Sequence, residues 1–332
     1  MSSIGSQMKK ILLSTVFSLL ATSAMSSEVY INQAGGALNI DILQENGNNR
    51  INTESSPMDV NGNDITLDIV QSGDGNEADL EFDMGADSTT FTYSATGDYN
   101  TMIGEIYGGI GNTFTATIVG SDNFITYCKT YTNSVCNGII TNNTTTTATI
   151  AGNNNELNLA LDSADSTNTF DIGSNVPSDL NTTNLTQIST VGYDAVTMTM
   201  DGDSNTTNIT QNTTGGNNTV TAAVAGGSNN TTLEQLSAAG YDTIAMTIDG
   251  STNTTTMEQN STSGNNAIVM DIVGSTNTVA FTQTGAGGYN QIDLDITGSS
   301  NTMTFDQQTA MGDTRITGVV TGDSNSVTIL QN

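Results

Sequence analysis

The side chains of this sequence that could do chemistry are amides, carboxylates and two thiols; histidine and tryptophan are absent. Glutamine recurs at Gln187, Gln211, Gln235, Gln259, Gln283, Gln307 and Gln331. Asparagine recurs at Asn181, Asn205, Asn229, Asn253, Asn277, Asn301 and Asn325. Both series advance by 24 residues at every step. An amide turned inward is costly unless it is paired. In a fold that stacks one repeat on the next, each amide has its own copy above and below. It can then donate in one direction and accept from the other, as in cross-β stacks. That chemistry is structural.

The remaining candidates read the same way. The 34 acids recur with the repeat, which marks solvated faces and not a general acid/base pair, so no enzymatic activity is expected. Asp201-Gly202-Asp203-Ser204-Asn205 is as rich in oxygen as a calcium loop but lacks the distal bidentate glutamate, and it reads as a turn. Cys128 and Cys136, with seven residues between them in a loop-rich segment of an exported chain, are expected to form a disulfide within that loop. No other thiol or imidazole is present to complete a zinc shell. Met198, Met246 and Met270 share a position with leucine and isoleucine and read as core filler. No cofactor and no metal are expected.

The elements that must position these residues follow from a second, shorter period. After Gly264 the apolar residues are Ile268, Met270 and Ile272; Gly274 and Asn277 intervene, and Val279, Phe281 and Gln283 close the unit. Alternation over this length predicts two half-buried strands joined by Gly/Ser/Asn corners. Units of one fixed length that bury their apolar faces only on each other make a solenoid. The expected fold is all-β, a β-solenoid of about eleven coils spaced roughly 4.8 Å apart. Val196, Val220, Ile244, Ile268 and Ile292 should form one buried column, and Leu233, Met257, Phe281, Phe305 and Ile329 another. A longer rhythm overlies this one. Tyr193, Tyr241 and Tyr289 occur in every second coil, and Asp201 and Asp249 alternate with Ala225 and Val273, which separates like charges.

Along the chain, residues 1–26 read as a secretory signal peptide: Met8-Lys9-Lys10, an apolar run from Ile11 to Ala24, then small residues. Its apolar core is too short to anchor in a bilayer, and no later segment qualifies as a transmembrane span. Residues 27–62 form an irregular N-terminal coil, and 63–332 form the solenoid, with a disulfide-loop insertion near 128–141. Removal of the leader leaves three Lys/Arg against 34 acids, a net charge of −31. Such a charge excludes nucleic acid and anionic lipid as electrostatic partners. The expected location is extracellular or at the cell surface, reached through the periplasm.

The units resemble the curlin repeats of curli-type fibre subunits. The resemblance rests on Gly274-Ser275-Thr276-Asn277 leading to Gln283, on Val29-Tyr30-Ile31-Asn32-Gln33, and on Val70-Gln71-Ser72-Gly73-Asp74-Gly75-Asn76. It extends loosely over nearly all the mature chain. It implies export across the outer membrane and self-association into amyloid-like fibres of biofilm matrix, as main subunit, nucleator or partner of a related curlin subunit. Curlin units usually carry inward Ser and Gln on the first strand, whereas the later coils here carry Val196, Met198 and Met200. Two other functions compete. One is a monomeric β-solenoid adhesin. The other is ice binding, since Thr197/Thr199, Thr219/Thr221, Thr254/Thr256 and Thr302/Thr304 resemble the threonine ladders of ice-binding solenoids. Asp271, Asp293, Asp295 and Glu258 are expected to interrupt both threonine faces.

Overall fold

The computed structural model describes residues 16–331 apart from short stretches, the longest of them 52–57 and 173–179. Among the described residues there is no helix. The alternating strands stack in parallel into two long sheets. One sheet has 13 strands and runs from Val16–Thr22 and Asn39–Glu45 to Thr314–Thr321. The other has 16 strands and runs from Ser27–Val29 and Asn49–Ile51 to Ser326–Gln331. The chain is a β-solenoid with about 8 turns at the 24-residue spacing, fewer than the eleven read from the sequence. The difference lies in the early coils, whose lengths vary. Asn49 to Asn76 spans 27 residues and Asn123 to Asn155 spans 32, whereas every step from Asn205 to Asn301 spans 24.

The core is a set of columns between the sheets. Val196, Val220, Ile244, Ile268 and Ile292 are buried in register, as expected. Leu233, Met257, Phe281 and Phe305 are buried likewise. Ile329 is not: it continues that column by register but is 59% exposed, because no described coil covers it. Where aromatic residues fall on consecutive coils of equal length, parallel register lays one ring over the other. Phe281 and Phe305 stack with centroids 5.1 Å apart and planes within 3°. Phe91 and Phe114 also pair in register but sit 6.4 Å apart and tilted by 57°.

The corners explain the Gly-x-x-Asn spacing. Asn76 Nδ2 donates to Gly73 O at 2.8 Å, and Asn100 Nδ2 donates to Gly97 O at 2.9 Å, each closing its own turn. Glycine is required because the coil beneath leaves no space. A Cβ on Gly298 would lie 1.6 Å from Gly274 O and 2.4 Å from Asn277 Oδ1.

Two segments differ from the sequence reading. The insertion is more than a loop: Thr130–Thr132 and Val135–Asn137 pair as an antiparallel hairpin, and Ile139–Asn142 then joins the second sheet beside Asn154–Ala164. Val16–Thr22, inside the segment read as a leader, lies parallel to Asn39–Glu45. Its removal with the leader would leave Asn39–Glu45 as the sheet edge.

Candidate functional site

The asparagine column is continuous through the late coils. Asn205, Asn229, Asn253, Asn277 and Asn301 are all buried. Asn229 Nδ2 donates to Asn205 Oδ1 at 2.7 Å and Asn253 Nδ2 to Asn229 Oδ1 at 2.5 Å. Asn277 repeats the bond to Asn253, and Asn301 to Asn277. Every amide therefore donates toward the N-terminal end, so the ladder has a direction. Earlier coils hold single links: Asn155 Nδ2 donates back to Asn123 Oδ1, whereas Asn49 Nδ2 donates forward to Asn76 Oδ1. Asn325 is exposed, and the side chain of Asn181 lies outside the described residues.

The glutamine column is in backbone register from Gln187 to Gln331. Gln235, Gln283 and Gln307 are buried, and Gln307 Nε2 donates to Gln283 Oε1 at 3.2 Å. Among the described residues the Gln235 amide has no hydrogen-bond partner. The side chains of Gln187, Gln211, Gln259 and Gln331 lie outside the described residues. A second, short glutamine ladder opens the first sheet. Gln71 Nε2 donates to Gln44 Oε1 at 2.8 Å, and the Tyr93 hydroxyl donates to Gln71 Oε1 at 2.8 Å. Both Cys128 and Cys136 have backbone places on strands, but their side chains are outside the described residues. Gly202 and Asp203 of the acidic turn are outside them as well.

Sequence reasoning missed two inward columns. Thr183, Thr207, Thr231 and Thr255 stack in register and are buried. Asp194, Asn218, Asp242, Asn266 and Asn290 are also buried, at the start of the first-sheet strands. The signal was parity. Asp194 shares its phase with Val196, and Thr207 with Ile209, so strict alternation already turned both inward.

Like charges are separated in some columns and adjacent in others; Asp194 and Asp242 alternate with Asn218 and Asn266. Asp201 and Asp249 alternate with Ala225 and Val273, as expected. Glu234 lies directly beside Glu258, Asp271 beside Asp295, and Asp41 beside Asp68. Burial first, and then the Asp41 charge, hold the Asp68 carboxyl above its ordinary value of 3.8. The threonine faces also differ from expectation. Thr92, Thr115, Thr147, Thr169, Thr197 and Thr221 form one outward row across six coils of the first sheet, with no acid in it. The interrupting Asp271, Asp293 and Asp295 belong to later coils of that sheet, and Glu258 to the other sheet.

The last coil presents the interior. Met303 and Phe305 are buried, but Val327 and Ile329, one coil further in the same columns, are 48% and 59% exposed. Compared with protein-family models, with curated proteins and with solved structures, the chain matches none.

Proposed function

We propose that this chain is an extracellular fibre subunit that assembles head to tail, as a curlin-like matrix subunit, a nucleator or a partner of a related subunit. The exposed columns of the coil Thr314–Gln331 carry the reading. A strand stack with its apolar interior exposed and its backbone donors and acceptors unpaired is a template for another chain. A second copy, stacked in the same register, would cover Val327 and Ile329 as Met303 and Phe305 are covered. The asparagine ladder runs one way through the late coils but stops at Asn301, one coil short of the open end, so the exposed apolar columns alone carry the contact. Such a contact joins two different surfaces, does not close on itself, and propagates as a filament. Gly and Asp along the coils slow association before export. The net charge of −29 makes growth depend on salt. Growth from sheared seeds, followed by thioflavin emission, tests the surface. Ile329→Asp is expected to abolish elongation; growth at the unsubstituted rate would contradict the proposal.

A second reading has its own observation. The six-coil threonine row, flanked by Thr90, Thr113, Thr145 and Thr167, is a regular grid with spacings of roughly 4.8 Å and 6.7 Å. A flat grid of alternating methyls and hydroxyls suits ordered water. Thermal hysteresis or faceted ice shaping at micromolar protein would favour ice binding, and the absence of both would leave the row as ordinary exposed strand.

A further inference from the structure

Three exposed tyrosines recur at one corner of the solenoid; other large apolar side chains, Tyr99 and Val269 among them, are exposed elsewhere on its surface. Tyr193, Tyr241 and Tyr289 are 70%, 63% and 64% exposed. All three occupy the same place, the corner at which a first-sheet strand begins. Asn217 pairs in register with Tyr193, and Asn265 with Tyr241, so the tyrosines lie two coils apart. Two coils at strand spacing separate them by about 10 Å, and parallel stacking keeps them on one line.

The asparagines between them do two things. They stop the rings from covering each other, which is what aromatics on adjacent coils do at Phe281 and Phe305. They also fix the tyrosine backbone: Asn217 Oδ1 accepts from Tyr241 N at 3.0 Å, and Asn265 Oδ1 accepts from Tyr289 N at 2.9 Å. The corner therefore presents a row of separated aromatic rings, of which Tyr241 and Tyr289 are each held by an amide from the coil below. Leaving three aromatic rings in water serves neither folding nor solubility, and an exposed apolar row of this kind marks a contact surface.

We propose that this row binds a neutral, extended β-1,4-linked polysaccharide of the cellulose or chitin class. The face of a pyranose ring is lined by C–H groups and stacks on an aromatic face, as planar rings stack on aromatic platforms in other polymer-binding proteins. In an extended β-1,4 chain every second sugar turns the same face the same way, and one disaccharide is close in length to two coils. Each tyrosine thus meets an equivalent sugar. A rigid row costs little ordering on binding. The charge sets the class: a chain at −29 repels anionic glycans and leaves neutral ones. The site lies along the side of the solenoid, so it is independent of the open end and works in a monomer or a fibre.

The test is adsorption of the full mature chain to microcrystalline cellulose and to chitin, with alginate as the anionic comparison. The variants are Tyr193→Ala, Tyr241→Ala and Tyr289→Ala, singly and together, and the triple Tyr→Phe change. Circular dichroism checks that each keeps its strands. Adsorption to one of the neutral polymers is expected, weakened roughly tenfold for each ring removed and largely retained by the phenylalanine variant. Equal adsorption of the triple alanine variant would overturn the proposal. So would equal binding to alginate, a loss with phenylalanine as large as with alanine, or no binding to either neutral polymer. None of these outcomes bears on whether the chain forms fibres.

Discussion

The late coils, from Asn205 onward, and the early coils, up to about residue 180, solve one problem in different ways. In the late coils a fixed step of 24 residues puts each side chain over its own kind, so asparagine bonds asparagine and phenylalanine stacks on phenylalanine. In the early coils the step varies, and columns mix. Phe114 sits beside Thr146, and Thr146 beside Asn168. There the polar groups are satisfied by individual arrangements: Gln44, Gln71 and Tyr93 in one chain of bonds, and Arg50 paired with Glu77 at 2.9 Å. The comparison teaches that identity of neighbours, and not the solenoid as such, makes a ladder. A repeat that drifts keeps its sheets but must settle its buried polar groups one at a time.

Substitutions should separate the two regimes. The largest effect is expected for Phe281→Ala, which empties a buried position stacked on Phe305 and should cost about 3–5 kcal/mol by chemical denaturation. Phe281→Leu should cost less than about 1.5 kcal/mol, because the same column holds Leu233 and Met257 in the coils below. Next comes Asn253→Ala. It removes the partner of both Asn229 and Asn277, and at roughly 1–3 kcal/mol per stranded buried group the expected loss is about 2–4 kcal/mol. Asn100→Ala, in the early coils, loses one bond to Gly97 O and should cost about 1 kcal/mol. Equal losses at Asn253 and Asn100 would break the contrast drawn here.

A smaller effect follows from pH in the early coils. Asp68 titrates above its ordinary value of 3.8, so the folded state holds a proton that the unfolded chain has released. Its contribution to stability is therefore greatest at low pH and is lost as pH rises through the raised value. Asp68→Asn should raise the melting temperature at neutral pH and flatten its rise on acidification toward 4. The smallest effect is expected for Arg50→Ala. The pair with Glu77 is about one-third exposed on each side, so its loss should cost below about 1 kcal/mol and vanish in high salt.

What could be read from the sequence followed the same division. The columns at Val196 and Leu233 were legible because a fixed step lines up identical residue types. The lengths of the early coils were not: the step from Asn123 to Asn155 contains a hairpin and an extra strand that no periodicity encodes. Thr183 and Asp194 were overlooked as core because polarity outweighed parity. The threonine row from Thr92 to Thr221 was hidden for a related reason, since its six members are unevenly spaced in sequence although adjacent in register. The tyrosine rhythm was visible, but its exposure was a property of the corner.

Head-to-tail assembly requires the open coil at Val327 and Ile329 to accept another copy. The most direct measurement is electron microscopy of the purified chain after incubation at moderate salt, joined to hydrogen exchange of its first and last coils. Unbranched fibres with a repeat of about 4.8 Å along their axis, and end coils that become protected only on assembly, are the predicted result. A monomer that persists for days with both end coils already protected would contradict it.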